Sequence, residues 1–426
     1  MGLLYGRLLV YGVARIRRSK AVGPTVASFV GPVARLVRSL RSVNLDEALE
    51  SAKILQHPQL MLALAVASSA ILAFMPYRPD INPSGSLVGI DSPLYQDWLS
   101  QMLSRPFPDA IEYAFAEAAL GSRPLFLIPL YLISLLQGIQ PGQVVEALPI
   151  ALGPILSAAS FLFVRSGQGS ERLAGLTAVL TAFSFNFTVG MWGGYYANWL
   201  ALAEAYLFLT VLLSFPQYFS LPKFAALMGL SLAILLTHPW TWVLVLTVSL
   251  VFSISITKET KQHSYTWIMV TVILAGLTVD FLKNWTFGPR TVAEDLATKT
   301  SIAGIHELVV AWPNIIDSLL FTHGGLLANS LLLALAVVPL VTLSFQDRFQ
   351  RLLIIWVLTA GIPLAFLDSY HQARMIYDLP MPVLAALGLL LLVSQMGKGK
   401  SRWPGLIILL TILFSANYAL RAMLQL

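Results

Sequence analysis

Apolar stretches of 17–22 residues recur from residue 59 to the end of this sequence, and the short segments between them hold most of its charge. Each stretch is long enough to cross a hydrocarbon core of about 30 Å as a helix, which satisfies its own backbone polar groups where no water is present. A soluble fold would need more charge at its surface than this chain has: 57% of the residues are hydrophobic and 11% charged, with a mean hydropathy of +0.74. The sequence therefore predicts an all-α fold, a polytopic transmembrane helix bundle in a lipid bilayer.

Punctuation by Gly, Pro and charge places spanning helices at 59–76, 143–164, 173–190, 196–214, 222–238, 240–256, 265–284, 325–345, 350–367, 379–395 and 403–424, about 11 spans. The break inside 222–256 rests on "THPW", because Pro239 has no amide hydrogen and disfavours helix at His238. The segment 124–140 is apolar but short, with Pro129 near its middle. Laid along the interface, it sorts 19 of the 27 Lys and Arg residues to one side, nine of them within residues 1–58. If it crossed, basic loops would fall on both faces.

The sorted arrangement predicts a multi-pass protein of the cell membrane with a cytoplasmic N-terminus. Residues 1–58 become a basic, partly amphipathic cytoplasmic segment on an anionic leaflet. Residues 59–426 form one transmembrane domain with two long external loops, 77–142 and 285–324, the first containing interfacial helices. The net charge of +6 follows from this sorting and does not point to nucleic acid. The absence of cysteine excludes disulfides and thiolate metal sites. Residues 1–20 interrupt their only apolar stretch with Arg7 and lack a small-residue cleavage site, so no cleaved signal peptide is expected. There is no P-loop, no G-x-G-x-x-G after a strand, no H-E-x-x-H and no G-x-S-x-G.

Polar residues gather in four islands on the predicted external side. In "GIDSPLYQDWL" (89–99), Asp91 suits the N-cap of a helix with Pro93 in its first turn, and equally a reactive acid; Tyr95 follows at helical spacing. In "MWGGYYANWLALAEAY" (191–206), two glycines let backbone approach a partner closely, while Tyr195, Tyr196 and Trp199 read as interface aromatics. Glu204 must face the bundle, since an unpaired carboxyl in the bilayer costs about 3 kcal/mol. In "KNWTFGPRTVAEDLATKT" (283–300), Thr291 precedes Glu294 by three, as a capping box would. In "DSYHQARMIYDLP" (368–380), Arg374 is a lone external cation that needs an anionic partner, either a carboxylate such as Asp378 or a phosphate. His371 lies on nearly the same helical face, and His238 of "THPW" is a further external polar residue. Asn186 and Asn284 each open an N-x-Thr sequon at the end of a predicted span.

Taken in order, these islands resemble the GT-C superfamily of membrane glycosyltransferases, and within it the transmembrane part of the oligosaccharyltransferase catalytic subunit, over roughly residues 59–395. That family has Asp-Pro-aromatic early in its first external loop, and "GIDSPLY" is similar with one residue inserted. Its glycine turn corresponds to "WGGYYANW", its Thr/Ser-x-x-Glu motif to "TVAE" (Thr291–Glu294), and its late-span arginine to "ARMIYDLPMPVLAALG". Two departures stand out. Tyr196 and Asn198 replace the carboxylates after the glycine turn, and the soluble acceptor domain with its W-W-D-Y-G motif does not follow the last span. The resemblance thus implies transfer of a single sugar from a polyprenyl-phosphate-linked donor to an acceptor protein, lipid or glycan. It makes Asp91 and Glu294 catalytic, with Arg374, His371, His238, Tyr95, Tyr196 and Asn198 binding substrate. Any cofactor would be Mg²⁺ or Mn²⁺ held between Asp91 and Glu294. A lipid or glycolipid flippase of similar topology is the alternative; it calls for polar residues at the bilayer midplane, where only Glu204 and the helix-breaking Pro363 answer.

Overall fold

A computed structural model describes residues 56–215, 219–288, 329–364, 369–396 and 403–424, with the side chains of 362–364, 369–371, 373 and 396 excepted. Among these residues the regular structure is helical throughout. The helices are α1 Pro58–Phe74, α2 Ser92–Leu103, α3 Phe107–Ala116, α4 Pro124–Gln137, α5 Pro141–Gln168, α6 Glu171–Ala182, α7 Phe185–Gly193 and α8 Tyr196–Leu213. They continue with α9 Leu221–Thr237, α10 Pro239–Thr260, α11 Ser264–Phe287, α12 Ser330–Leu340, α13 Arg348–Leu364, α14 Ser369–Tyr377, α15 Met381–Met396 and α16 Trp403–Leu424.

Among the described residues, seven segments are long and apolar enough to cross a membrane: Pro58–Tyr77, Pro141–Gln168, Glu171–Gly193, Tyr196–Leu213, Pro239–Thr260, Ser264–Phe287 and Trp403–Met423. Each of the other expected spans overlaps a helix that falls short of that standard; α9, α12 and α15 are apolar but brief. The third expected span is also broken. Ser184 swings to ψ 172° between α6 and α7, and its hydroxyl turns back onto the Thr181 carbonyl at 2.8 Å. The predicted break at "THPW" is present, with His238 extended between α9 and α10 and accepting from the Thr241 amide as an N-cap.

Burial ranks the segments from centre to rim. In an 18-residue stretch of Glu171–Gly193, 94% of the residues are buried, whereas the share in Ser264–Phe287 is 28%, with Trp267, Leu274 and Phe281 exposed. An apolar rim of this kind suits a lipid bilayer. The centre is built from small side chains. In "LAGLTAVLTA" of α6 every residue is buried, and the Thr181 hydroxyl meets that of Ser160 on α5 at 3.0 Å.

The first long loop folds against one end of this bundle. Phe126, early in α4, packs on Tyr95 of α2 with ring centroids 5.2 Å apart, and Gly142, at the start of α5, lies against Gln96 of the same helix. The start of α4 follows a turn in which Ala119, Leu120 and Gly121 all take positive φ.

Helices α12 and α15 meet closely at Gly388, where a Cβ would run into the backbone carbonyl of Leu335. Gly388→Ala is expected to destabilise the protein by about 1–3 kcal/mol, read as a lower thermal midpoint in detergent. Gly229→Ala, in α9 with open space around it, should leave the midpoint unchanged or raise it.

Candidate functional site

Two glycines let the first loop dock on the α7–α8 turn. The Ile90 and Asp91 amides donate to the Trp192 and Gly193 carbonyls at 3.0 and 3.2 Å, so main chain meets main chain. Gly194 (φ +67°) caps α7, and a Cβ there would sit 2.8 Å from the Asp91 nitrogen. Gly89 (φ +102°) faces the Met191 carbonyl at a similar 2.7 Å. No residue with a Cβ fits either position without moving the loop.

This docking fixes Asp91 at the N-cap of α2, but its carboxylate makes no capping bond. It reaches Arg374 instead, with Oδ2 3.3 Å from Nη2. The two exposures differ in a way that matters: the Arg374 side chain is 6% exposed and that of Asp91 21%. Arg374 is thus the buried anchor, and Asp91 is the member of the pair more open to its surroundings. The guanidinium also lies over the Tyr195 ring, with Cζ 4.7 Å from its centroid. The expected carboxylate partner, Asp378, is occupied elsewhere.

Asp378 sits at the end of α14, 2% exposed, and accepts from Asn198 Nδ2 at 2.6 Å and Thr241 Oγ1 at 2.8 Å. Thr241 in turn meets His238 Nδ1 at 2.8 Å. Three chain segments distant in sequence are joined through this one carboxyl. Burial pushes Asp378 up to about 7, although the bonds from Thr241 and Asn198 and the charge of Arg374 pull the other way. The chain of bonds serves both protonation states. With Asp378 ionised, Thr241 donates to it; with Asp378 protonated, the carboxyl donates to Thr241, which turns its own proton toward His238.

Tyr95 and Tyr196 form the floor beneath Asp91. Both are fully buried, and their rings stack 5.7 Å apart. Tyr196 donates to the Val88 carbonyl at 3.0 Å, and Tyr95 accepts from Arg123 Nη1 at 2.7 Å. Next to them α7 and α14 are clamped by a reciprocal pair: Asn186 Nδ2 donates to the Tyr377 carbonyl and Tyr377 Oη to the Asn186 carbonyl, each at 2.7 Å. The Asn186 side chain is therefore core structure, closed to a glycan.

The expected residues thus divide into a contact pair and its support. Asp91 and Arg374 meet directly. Tyr95, Tyr196, Asn198 and His238 lie behind them, each hydrogen-bonded within the fold, while Asn198 Oδ1 is buried without a hydrogen-bond partner. The reading of Tyr196 and Trp199 as interface aromatics is corrected, since both are completely buried. Glu204 does face the bundle, 3.5 Å from Thr237 Oγ1. Glu294 with its Thr291 partner, and the side chain of His371, lie outside the described residues. Thr241 and Arg123 belong to the cluster but were not singled out in the sequence. Arg123 carried the same signal as Arg374, a cation at the mouth of an apolar helix against the charge rule.

A divalent metal does not fit the described donors. No three His, Asp or Glu side chains converge among the described residues. Asp91 faces a guanidinium, and Asp378 is committed to two hydrogen-bond donors. A cation beside Asp91 would meet the charge of Arg374 with one carboxylate to balance both.

No family model matches this sequence, and no curated protein shows significant similarity to it.

Asp378 generates a pH dependence with a definite sign. Its folded value of about 7 lies above the ordinary 3.8, so the folded protein holds the proton more tightly than the unfolded chain. The stability this contributes is complete below 3.8 and is lost as pH rises through about 7. Thermal midpoints of wild type and Asp378→Asn should show wild type losing stability relative to the variant between acidic and mildly alkaline buffer. Parallel curves would mean that Asp378 is ionised throughout.

Proposed function

We propose that this protein is a GT-C-type membrane glycosyltransferase, moving a single sugar from a polyprenyl-phosphate carrier to an acceptor hydroxyl on the external face. The observation that carries the reading is the Asp91–Arg374 pair: a partly exposed carboxylate and a buried guanidinium, 283 residues apart in sequence, joined at the end of the bundle where the first loop docks. A base and a phosphate-binding cation side by side are what displacement of a phosphate from an anomeric carbon requires.

The donor's phosphate would compete with Asp91 for Arg374, and the exchange would free the carboxylate. Asp91 then takes the proton of the acceptor hydroxyl as its oxygen bonds to the anomeric carbon and the bond to phosphate breaks. The electron pair leaves on the phosphate, facing Arg374. Direct displacement inverts the anomeric centre. The apolar rim supports a donor whose prenyl chain stays in the bilayer, and the backbone anchoring of Asp91 supports a base held in fixed geometry. Placement on the external face rests on the distribution of Lys and Arg between loops.

The test uses membranes carrying the protein and a panel of radiolabelled polyprenyl-phosphate sugars, with release of label from lipid as the readout. Wild type should consume one donor, and Asp91→Asn should lower the rate by about 10²–10⁴-fold. Arg374→Gln should weaken use of the same donor. If the two variants release label at the wild-type rate, the assignment is wrong. If wild type releases none, while labelled lipid reaches the opposite leaflet only when the protein is present, the protein is a flippase.

A further inference from the structure

Among the described residues, Arg123 at this end of the molecule meets no carboxylate. Of the three arginines in the first long loop, Arg78 pairs with Asp80 at 2.6 Å and Arg105 with Glu117 at 3.8 Å. Arg123 has no such counter-ion among the described residues. Its Nη1 donates to the Tyr95 hydroxyl at 2.7 Å, and its Nε is buried without a hydrogen-bond partner. Tyr95 does not balance the charge. Burial holds its hydroxyl above the usual phenol range against the pull of Arg123, so the contact is to a neutral phenol.

Arg123 is also held in place with some care. The turn at Ala119–Gly121, with left-handed backbone at the non-glycine residues Ala119 and Leu120, ends two residues before it. Lys283 of α11 secures the turn by donating to the Gly121 carbonyl at 3.1 Å. The guanidinium carbon lies 5.8 and 6.0 Å from the ring centroids of Tyr95 and Trp98. Arg123 meets the hydroxyl of Tyr95, which lies one turn along α2 from the Asp91 that holds Arg374, so both arginines reach the first turn of the same helix.

We infer that Arg123 and Arg374 are the two sides of a single anion pocket, and that Arg123 is a second contact for the phosphate of a prenyl-phosphate ligand. The identity of the anion as a phosphate ester rests on the glycosyl-transfer reading; the pocket itself rests on the uncompensated guanidinium. Charge balance supports two arginines over one. Before transfer, Arg123 and Arg374 face the Asp91 carboxylate and the single charge of a phosphodiester, which sum to zero. Afterwards Asp91 carries the acceptor's proton and the departing monoester carries two charges, and the sum is again zero. With Arg374 alone, a desolvated site would hold an excess negative charge in both states, an unfavourable arrangement away from water.

Binding and transfer can be measured separately. Purified protein in detergent is titrated with geranyl phosphate, with inorganic phosphate and geraniol in parallel, and binding is followed by tryptophan fluorescence and thermal midpoint. Wild type should bind geranyl phosphate and not geraniol. Arg123→Gln should weaken that affinity about tenfold or more, and Arg123→Lys should recover most of it, which a purely structural role for the guanidinium fork would not allow. Arg78→Gln, at a loop arginine already paired with Asp80, should retain binding and controls for the loss of one positive charge from the loop. Inorganic phosphate binding as tightly as geranyl phosphate would still support the pocket, with a free anion as its ligand. Undiminished affinity in a folded Arg123→Gln variant overturns the inference, as does failure of wild type to bind either phosphate. Binding through Arg123 without sugar release from any donor would keep the pocket and remove the glycosyl-transfer reading. Sugar release unaffected by Arg123→Gln would do the reverse.

Discussion

The site depends on a main-chain contact, the pair of amide bonds by which Ile90 and Asp91 lie against Trp192 and Gly193. Without it, the first loop would have no fixed relation to the bundle, and Asp91 would not stand opposite Arg374. The contact is possible because Gly89 and Gly194 leave no side chain in the way. It joins the loop between α1 and α2 to a turn between two of the most buried helices, and the other features of the site follow from that seam.

Behind the seam, polarity is handled by mutual satisfaction. Asp378 gathers Asn198 and Thr241, Thr241 meets His238, and Asn186 and Tyr377 exchange bonds. Buried polar groups are costly when unpaired, and a network whose members hold one another rigidifies what it supports. In this cluster the support surrounds two groups that are less completely spent, the Asp91 carboxylate and the Arg123 guanidinium. A shell of largely paired donors and acceptors around a few underused charges is the pattern expected where a charged ligand completes the set.

The helical, multi-span character was legible because it depends on composition and run length, which packing does not alter. The break at His238 was legible because Pro239 enforces it locally. The broken helix at Ser184 was not, since serine is tolerated within helices and only the packing of α6 and α7 makes it a joint. At the site, Asp91 and Arg374 were readable as charges in places that charges avoid, yet their pairing was not, because 283 residues separate them and Asp378 was the nearer partner in sequence. Tyr196 and Asn198 stood out at the glycine turn, but the bonds they make within the fold did not. Polar side chains beside a glycine turn read as ligand contacts, whereas in the fold these two hold the main chain and Asp378. Arg123 shows that one physical rule, applied evenly along the chain, would have found both arginines.

The glycine seam has a consequence for how such a protein can change over time. Because Asp91 is held by backbone amides, the identities of the side chains around it in the first loop matter little to where the acid stands. Leu94 and Ile90, both well exposed, can vary without moving it. The surface that would meet an acceptor is thus uncoupled from the residues that would perform the chemistry. A lineage could alter what it modifies by drift in that loop while Gly89, Asp91, Gly194 and Arg374 stay fixed.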